Sequence, residues 1–133
     1  MKSKQILLTA CILGALAVIL GAFGAHGLNG KISPEKLETF KLGVSYQYYH
    51  IAALLACGII SKIGNSQRLL SYAALLFIIG IFCFSGSLYL LSTRELTGLG
   101  FLTPVLGPMT PIGGLFLIGA WVMMGIAVLK SKD

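Results

Sequence analysis

The sequence has 133 residues, which is enough for one domain, and 56% of them are hydrophobic while only 11% are charged. Ordinary soluble domains carry about 25% charged residues, so this composition excludes a soluble globular fold. The formal net charge of +6 does not indicate nucleic-acid binding, because the aromatic residues have no basic groove beside them.

Four long stretches of the chain carry no charged residue. Each reaches the roughly 20 residues that a helix needs to cross about 30 Å of hydrocarbon. Because backbone polar groups in hydrocarbon must be bonded within their own segment, each stretch should be helical. The sequence therefore predicts an all-α membrane fold: a four-transmembrane-helix bundle in one integral membrane domain, residues 1–133. The uncharged stretches are 5–30, 42–61, 69–93 and 96–129.

The lysines and arginines are divided unequally between the two sides of this four-span arrangement. The side with more of them is expected to face the cytoplasm. The sequence therefore predicts that both termini are cytoplasmic. The richer side has Lys2, Lys4, Lys62, Arg68, Lys130 and Lys132, and the other has Lys31, Lys36, Lys41 and Arg94.

The first helix is predicted over residues 5–28, and its outer end reads GAFGAHGL. Its apolar run is longer than the 7–15 residues of a signal-peptide core, so we expect a retained anchor. Small residues on one face would allow close helix packing. His26 projects away from that face, as either an interfacial tie to the outer loop or a ligand or proton site. The face comprises Gly14, Ala17, Gly21, Gly24, Ala25 and Leu28.

The second helix is predicted over residues 34–62, with Ser33 as its cap and Pro34 at its first position. His50 lies near its centre, with Tyr46 and Gln47 on the same face. An ionisable group at membrane depth is a functional candidate by default. His50 is interpreted either as a neutral interhelical tie or as a proton relay or substrate contact. A metal site shared by the two histidines would lack a third strong ligand.

The third helix is predicted over residues 68–92, after a turn at Gly64-Asn65-Ser66, and carries Ser85 and Tyr89 on one face. Their depth matches that of Gln47 and His26. Polar side chains of three helices should therefore gather in the outer half of the membrane, as a small pocket or as hydrogen-bonded glue. This candidate polar cluster consists of His26, Tyr46, Gln47, His50, Ser85 and Tyr89.

The last uncharged stretch is too long for one span. Pro104, Pro108 and Pro111 oppose a continuous helix. We therefore predict an apolar Gly/Pro-rich outer loop over residues 96–110, followed by a fourth helix over residues 111–130. The loop would cap the bundle or re-enter it, and Gly113 and Gly114 would form a second packing surface.

Four motifs in this order resemble one family: GAFGAHGL, YQYYH, FSGSLYLL and TPIGGLFLIGAW. The chain resembles the YgdD/YwdK family of small bacterial membrane proteins, a domain-of-unknown-function family with a short eukaryotic transmembrane relative. The resemblance covers nearly the whole chain. It implies a four-helix, multi-pass protein of the bacterial cytoplasmic membrane, and it implies no activity.

The sequence has no phosphate-binding loop, no zinc motif, no nucleophile elbow and no carboxylate at mid-membrane. We therefore expect a non-enzymatic protein without a cofactor or metal, with the lipid bilayer around it and no nucleic-acid partner. The favoured hypothesis is that it packs with itself, as a homo-oligomer, or with a partner membrane protein. The alternative is an oligomeric transporter or channel component for protons or small solutes that uses the candidate polar cluster.

Overall fold

The computed structural model describes residues 1–64 and 66–130 of the chain. All regular elements in this part are helical, as predicted. The predicted turn at Gly64-Asn65-Ser66 lies partly outside the described residues, as does the charge at Lys132. In chain order the elements are α1 (Ser3–Ala22), a π-helical turn (Phe23–Gly27), α2 (Pro34–Ile63), α3 (Gln67–Thr97), a 3₁₀ turn (Leu99–Leu102) and α4 (Thr103–Leu129).

Three helical stretches among the described residues are long and apolar enough to cross a membrane: Ser3–Gly27, Gln67–Thr97 and Leu99–Leu129. The helix α2 differs because its centre carries the polar sequence YQYYH. The polar members of that sequence that face inward, Gln47 and His50, are buried against other helices. The most polar of the four helices thus has two of its central polar side chains turned towards protein.

The helices pack as a row. α1 contacts α2, α2 contacts α3, and the most extensive contact joins α3 to α4, with only a small contact between α1 and α3. α1 and α4 therefore lie on the two flanks. Large apolar side chains project outward from both, as expected for surfaces that face lipid. Examples are Leu8, Ile12 and Ile19 on α1, and Leu115, Ile118 and Val122 on α4.

The predicted outer loop over residues 96–110 is wrong. The helix α3 continues to Thr97, Gly98 ends it in a left-handed conformation (φ 70°), and α4 begins at Thr103. Pro104 occupies the first turn of α4, where its missing N–H costs nothing. Pro108 and Pro111 lie inside the helix and are exposed; prolines are tolerated within membrane helices because neighbouring groups can satisfy the carbonyls that they leave free. The fourth helix is therefore two turns longer than predicted.

The end of α1 widens into a π-helical turn, closed by the Leu28 N–H donating to the Phe23 carbonyl at 3.0 Å. Gly27 belongs to this turn. A Cβ at Gly27 would lie 2.5 Å from Cδ2 of Phe23, so no larger residue fits without moving that ring. The chain then turns at Gly30, whose φ is 75°. Leu28 is left buried against Phe40 and Val44.

The start of α2 follows the prediction. Ser33 accepts a hydrogen bond from the Lys36 N–H at 3.4 Å, and Pro34 occupies the first helical position. Glu35 lies in the first turn, well before the uncharged stretch that begins at Leu42. Hydrogen bonding to its backbone and to Ser33 lowers the pKa of Glu35. A carboxylate is thereby held at the positive end of the helix dipole.

Glycines set how closely the helices approach. Leu7 of α1 packs on Gly58 of α2, where an added Cβ would lie 2.7 Å from Leu7 Cδ2. Leu117 of α4 packs in the same way on Gly80 of α3, at 2.5 Å. These contacts enclose one continuous apolar core along the row, built around Leu54, Phe77 and other residues of all four helices.

Candidate functional site: a polar cluster between the helices

Two side chains of the candidate polar cluster form a hydrogen-bonded chain across three helices. The Tyr89 hydroxyl on α3 donates to Gln47 Oε1 on α2 at 2.7 Å. The Gln47 amide nitrogen in turn donates to the Leu13 carbonyl on α1 at 2.9 Å. Gln47 is 3% exposed. Each of these bonds links different helices, so the chain fixes the relative positions of α1, α2 and α3.

The position of Tyr89 is set by the residues around its ring. Gly43 of α2 leaves room for that ring, because a Cβ there would lie 2.8 Å from Tyr89 Cε1. The ring of Phe40 lies one helical turn before Gly43, and its centroid is 4.9 Å from that of Tyr89. The space beside Gly43 and the contact with Phe40 therefore position the Tyr89 hydroxyl next to Gln47.

His50 is buried and uses one ring nitrogen within its own helix. Nδ1 lies 2.6 Å from the Tyr46 carbonyl oxygen. A carbonyl only accepts, so Nδ1 carries a proton and donates it. The ring also approaches Phe77 of α3 and Trp121 of α4, with centroids 5.9 and 6.5 Å away. His50 thus contributes an aromatic junction between three helices.

Tyr46 lies beside His50 but does not extend the hydrogen-bonded chain among the described residues. Its ring stacks on Phe84 of α3, with centroids 4.5 Å apart and an interplanar angle of 24°. Its role here is the packing of α2 on α3. The prediction that Tyr46, Gln47 and His50 share the inward face of one helix agrees with these contacts.

A second polar contact was not anticipated from the sequence. The hydroxyls of Ser87 on α3 and Thr110 on α4 are 2.6 Å apart. Ser87 also lies 2.9 Å from the Phe84 carbonyl, and Thr110 lies 3.3 Å from the Leu106 carbonyl. Thr110 lies in the stretch predicted as an outer loop, so the sequence does not place it beside α3. The available sequence signal is that Thr110 directly precedes Pro111, because threonine side chains can satisfy backbone groups near a proline within a membrane helix.

The remaining two members of the candidate polar cluster do not join these contacts. Ser85 is 1% exposed, and its hydroxyl has no hydrogen-bond partner among the described residues. His26 is exposed on the π-helical turn, and its side chain forms no hydrogen bond within the described residues. The structure therefore joins Gln47 to Tyr89, groups His50 with aromatic rings, and leaves His26 at the surface.

Replacing Ser85 by alanine is expected to leave stability unchanged or to raise it by up to about 1 kcal/mol, because a buried hydroxyl without a partner is costly. The matched variant is Ser87→Ala, which removes a bond between α3 and α4 and should cost about 1 kcal/mol. Denaturant unfolding of both proteins in mixed micelles measures the difference. A larger loss for Ser85→Ala than for Ser87→Ala would contradict the arrangement.

No group of three His, Cys, Asp or Glu side chains within residues 1–64 and 66–130 is placed to hold a metal ion. The neutral hydrogen bonds of Gln47 and Tyr89 can hold helices together, whereas that of His50 stays within α2. Of the three side chains, only that of His50 is of a type that ordinarily titrates near neutral pH.

The predicted helix-packing residues of α1 divide into two groups. Gly24 is buried, and a Cβ there would lie 3.0 Å from Phe40 Cδ1, while Gly21 faces Val44 Cγ1 at 3.6 Å. Gly14 has open space beside it, and Ala25 is exposed. The buried residues of α1 are Ile6, Ala10, Leu13 and Ala17, so the predicted stripe of small residues is only partly directed at the neighbouring helices.

The predicted packing pair on α4 also separates. Gly113 is buried at the crossing with α3, where an added Cβ would overlap the backbone nitrogen of Phe84. Gly114 points further outward, with an ordinary distance of 3.8 Å from its Cβ position to Phe84 Cδ2. One glycine therefore serves the contact within the chain, and its neighbour borders the outer surface.

Comparison with known proteins places this helical row in a family. The family model described as "Protein of unknown function (DUF423)" matches residues 20–114. A UPF0382 membrane protein of Staphylococcus aureus is 46% identical, over 90% of this chain and 93% of its own length. The UPF0382 membrane protein YwdK of Bacillus subtilis is 37% identical, over 96% of this chain and 98% of its own length. No solved structure matches the chain significantly.

These matches confirm the resemblance that the four sequence motifs indicate. The matched region runs from the end of α1 to the first half of α4, so it contains every member of the candidate polar cluster. The relatives are named membrane proteins, in agreement with the three apolar helical stretches. The chain therefore belongs to the DUF423 family, whose curated relatives are UPF0382 membrane proteins.

Proposed function

We propose that the protein is a four-span component of the bacterial cytoplasmic membrane, with both termini in the cytoplasm, and that it acts without catalysis by packing against other membrane helices. The fourth span is α2. Its polar side chains Gln47 and His50 are turned inward, so it can cross the bilayer within the row. The greater number of lysines and arginines near the termini supports the orientation.

The single observation that carries this proposal is an unoccupied row of glycines on the outer face of α4. Gly107, Gly114 and Gly125 are 7 and 11 residues apart, which places them on one side of a helix with 3.6 residues per turn. An added Cβ at Gly107 or Gly125 would meet nothing within 4 Å. Small residues at such positions let another helix approach closely in lipid.

The surroundings of this glycine row also favour an approaching helix. Gly125 lies in a shallow apolar groove of about 400 Å³ with Trp121, Met124 and Val128 among its lining residues. At the other end of this glycine row, Pro111 has no N–H to donate to the Gly107 carbonyl. A neighbouring helix that packs at Gly107 would shield that carbonyl or supply a donor. We therefore take a second copy of this chain as the first partner to test.

The experiment co-expresses two differently tagged copies of the full chain and measures their association in native membrane by cross-linking and by co-purification in mild detergent. We expect Gly125→Leu, and Gly107→Leu with it, to reduce the associated fraction at least severalfold, because a leucine side chain holds the neighbouring backbone away. The folded chain should tolerate both changes, since the space beside each glycine is open.

The matched control is Gly86→Leu on α3, which makes the same exchange at a glycine that also has open space beside it. Association of this variant should equal that of the unaltered protein. If the α4 variants associate normally with the second copy, and other membrane proteins co-purify with them in unchanged amounts, packing through α4 is refuted. An equal loss with Gly86→Leu would show that the effect is not specific to this face.

A further inference from the structure

A groove of about 750 Å³ opens at the end of the helical bundle where α1 begins and α2 ends. It lies at the opposite end of α1 from the π-helical turn, away from Tyr89 and Gln47. Lysines line its rim, and apolar side chains of α1 form its floor. The lining residues are Lys2, Ser3, Lys4, Leu7, Leu8, Cys11, Lys62 and Gln67.

Contacts between α1 and α2 join the two sides of the groove. The hydroxyls of Ser3 and Ser61 are 3.1 Å apart and join the start of α1 to the end of α2. One turn further on, Leu7 packs on Gly58. These two contacts bring Lys2 and Lys4 to the same end of the helical bundle as Lys62. The surface between these lysines includes the exposed side chain of Leu8.

The charge of the groove is uniformly positive. Its lining includes three lysines and no aspartate or glutamate. The ion pairs found within the described residues, Lys36–Glu95 and Lys41–Glu38, involve none of these three lysines. Lys2, Lys4 and Lys62 are all exposed. An anion that enters the groove would therefore meet three ammonium groups that form no ion pair within residues 1–64 and 66–130.

We propose that this groove binds one anionic phospholipid, with its phosphate between Lys2, Lys4 and Lys62 and an acyl chain along Leu7, Leu8 and Cys11. The cationic rim lies at the ends of the apolar helices, which is the level of lipid headgroups, and the floor continues towards the hydrocarbon. Lysine ammonium groups attract anionic headgroups in this position. A free phosphate ion would leave the apolar floor uncovered. The proposal does not depend on self-association through α4.

The test uses the full chain, purified in mild detergent and stripped of lipid, and native mass spectrometry with phosphatidylglycerol or phosphatidylcholine as the probe. We expect a single high-affinity site for phosphatidylglycerol and about tenfold weaker binding of phosphatidylcholine. The triple variant Lys2→Gln, Lys4→Gln, Lys62→Gln should weaken the phosphatidylglycerol site about tenfold or more. The matching lysine-to-arginine variant should retain it, because the charges remain.

The matched control removes three charges elsewhere: Lys31→Gln, Lys41→Gln and Lys130→Gln. Its net charge equals that of the groove variant, and all three positions are exposed. Phosphatidylglycerol binding should stay within about twofold of the unaltered protein, since these lysines do not line the groove. An equal loss in both variants would reduce the effect to overall charge and overturn the proposal.

Two further outcomes would also overturn it. The first is equal binding of phosphatidylcholine and phosphatidylglycerol. The second is displacement of bound lipid by inorganic phosphate at the same concentration, which would leave the acyl chain without a role. If the glutamine variant fails to fold, the unaltered protein decides the matter. Its phosphatidylglycerol binding must weaken at high ionic strength, and unchanged binding there refutes the proposal.

Discussion

Replacing Gly113 by alanine is expected to destabilise the protein by about 3 kcal/mol, at the upper end of the range for overpacked sites. The added methyl group would overlap the backbone nitrogen of Phe84 and would lie 2.8 Å from the carbonyl carbon of Cys83. Side chains can rotate away from such a clash, but the backbone of α3 cannot. The two helices with the most extensive contact in the molecule would have to separate.

The control for this prediction is the adjacent residue. A Cβ at Gly114 would lie 3.8 Å from the nearest atom of Phe84, an ordinary contact. Gly114→Ala should therefore be neutral, or stabilising by up to about 1 kcal/mol through its higher helix propensity. Thermal unfolding in detergent, followed by the loss of the monodisperse species, ranks the two variants. Equal stability of Gly113→Ala and Gly114→Ala would disprove the close crossing of α3 and α4.

Replacing Gln47 by leucine is expected to cost about 2–3 kcal/mol of unfolding free energy. The exchange removes two hydrogen bonds between helices, each worth roughly 0.6–2 kcal/mol in membrane proteins. It also leaves the Tyr89 hydroxyl, now bonded to Gln47 Oε1, without its acceptor in a partly buried position. Denaturant titration of the purified protein in mixed micelles measures the loss.

A double-mutant cycle with Tyr89→Phe separates the Gln47–Tyr89 bond from other effects. If the two side chains bond as described, the double variant should lose about 1 kcal/mol less than the sum of the single variants. Tyr48→Phe is the control, because Tyr48 is 42% exposed and takes no part in the bond between Gln47 and Tyr89. Strict additivity of Gln47→Leu and Tyr89→Phe would show that the bond contributes nothing.

The features that depend on local chemistry could be predicted from the sequence. The uncharged stretches gave the number of helices, and the cap at Ser33 and the proline at Pro34 gave the start of α2. The same holds for the inward face of α2, because Tyr46, Gln47 and His50 are three and four residues apart on a single helix. Each of these inferences concerns residues within a few turns of one another.

The features that depend on neighbouring helices could not be predicted in this way. Proline normally interrupts a helix, yet Pro108 and Pro111 lie within α4, because contact with α3 outweighs the local preference. The link from Gln47 to the Leu13 carbonyl has no sequence signal at all, since every residue has a carbonyl. The sequence predicts only that Ser85 and Tyr89 share one face of α3; among the described residues Tyr89 bonds to α2, whereas the Ser85 hydroxyl has no partner.

The short connection between α3 and α4 has a consequence for biogenesis. Gly98 and a single 3₁₀ turn join the two helices, and residues 96–129 carry no charge. At the connected end of the α3–α4 pair the charged residues are therefore Arg94 and Glu95, which are adjacent and of opposite charge. These are the charges that would cross the bilayer with the pair. Each charged side chain at the bilayer centre costs about 3 kcal/mol on insertion scales, so a connection with only two of them adds less to the cost of insertion than a longer charged loop would. The α3–α4 pair can thus enter the bilayer in one step, as a preassembled helical hairpin.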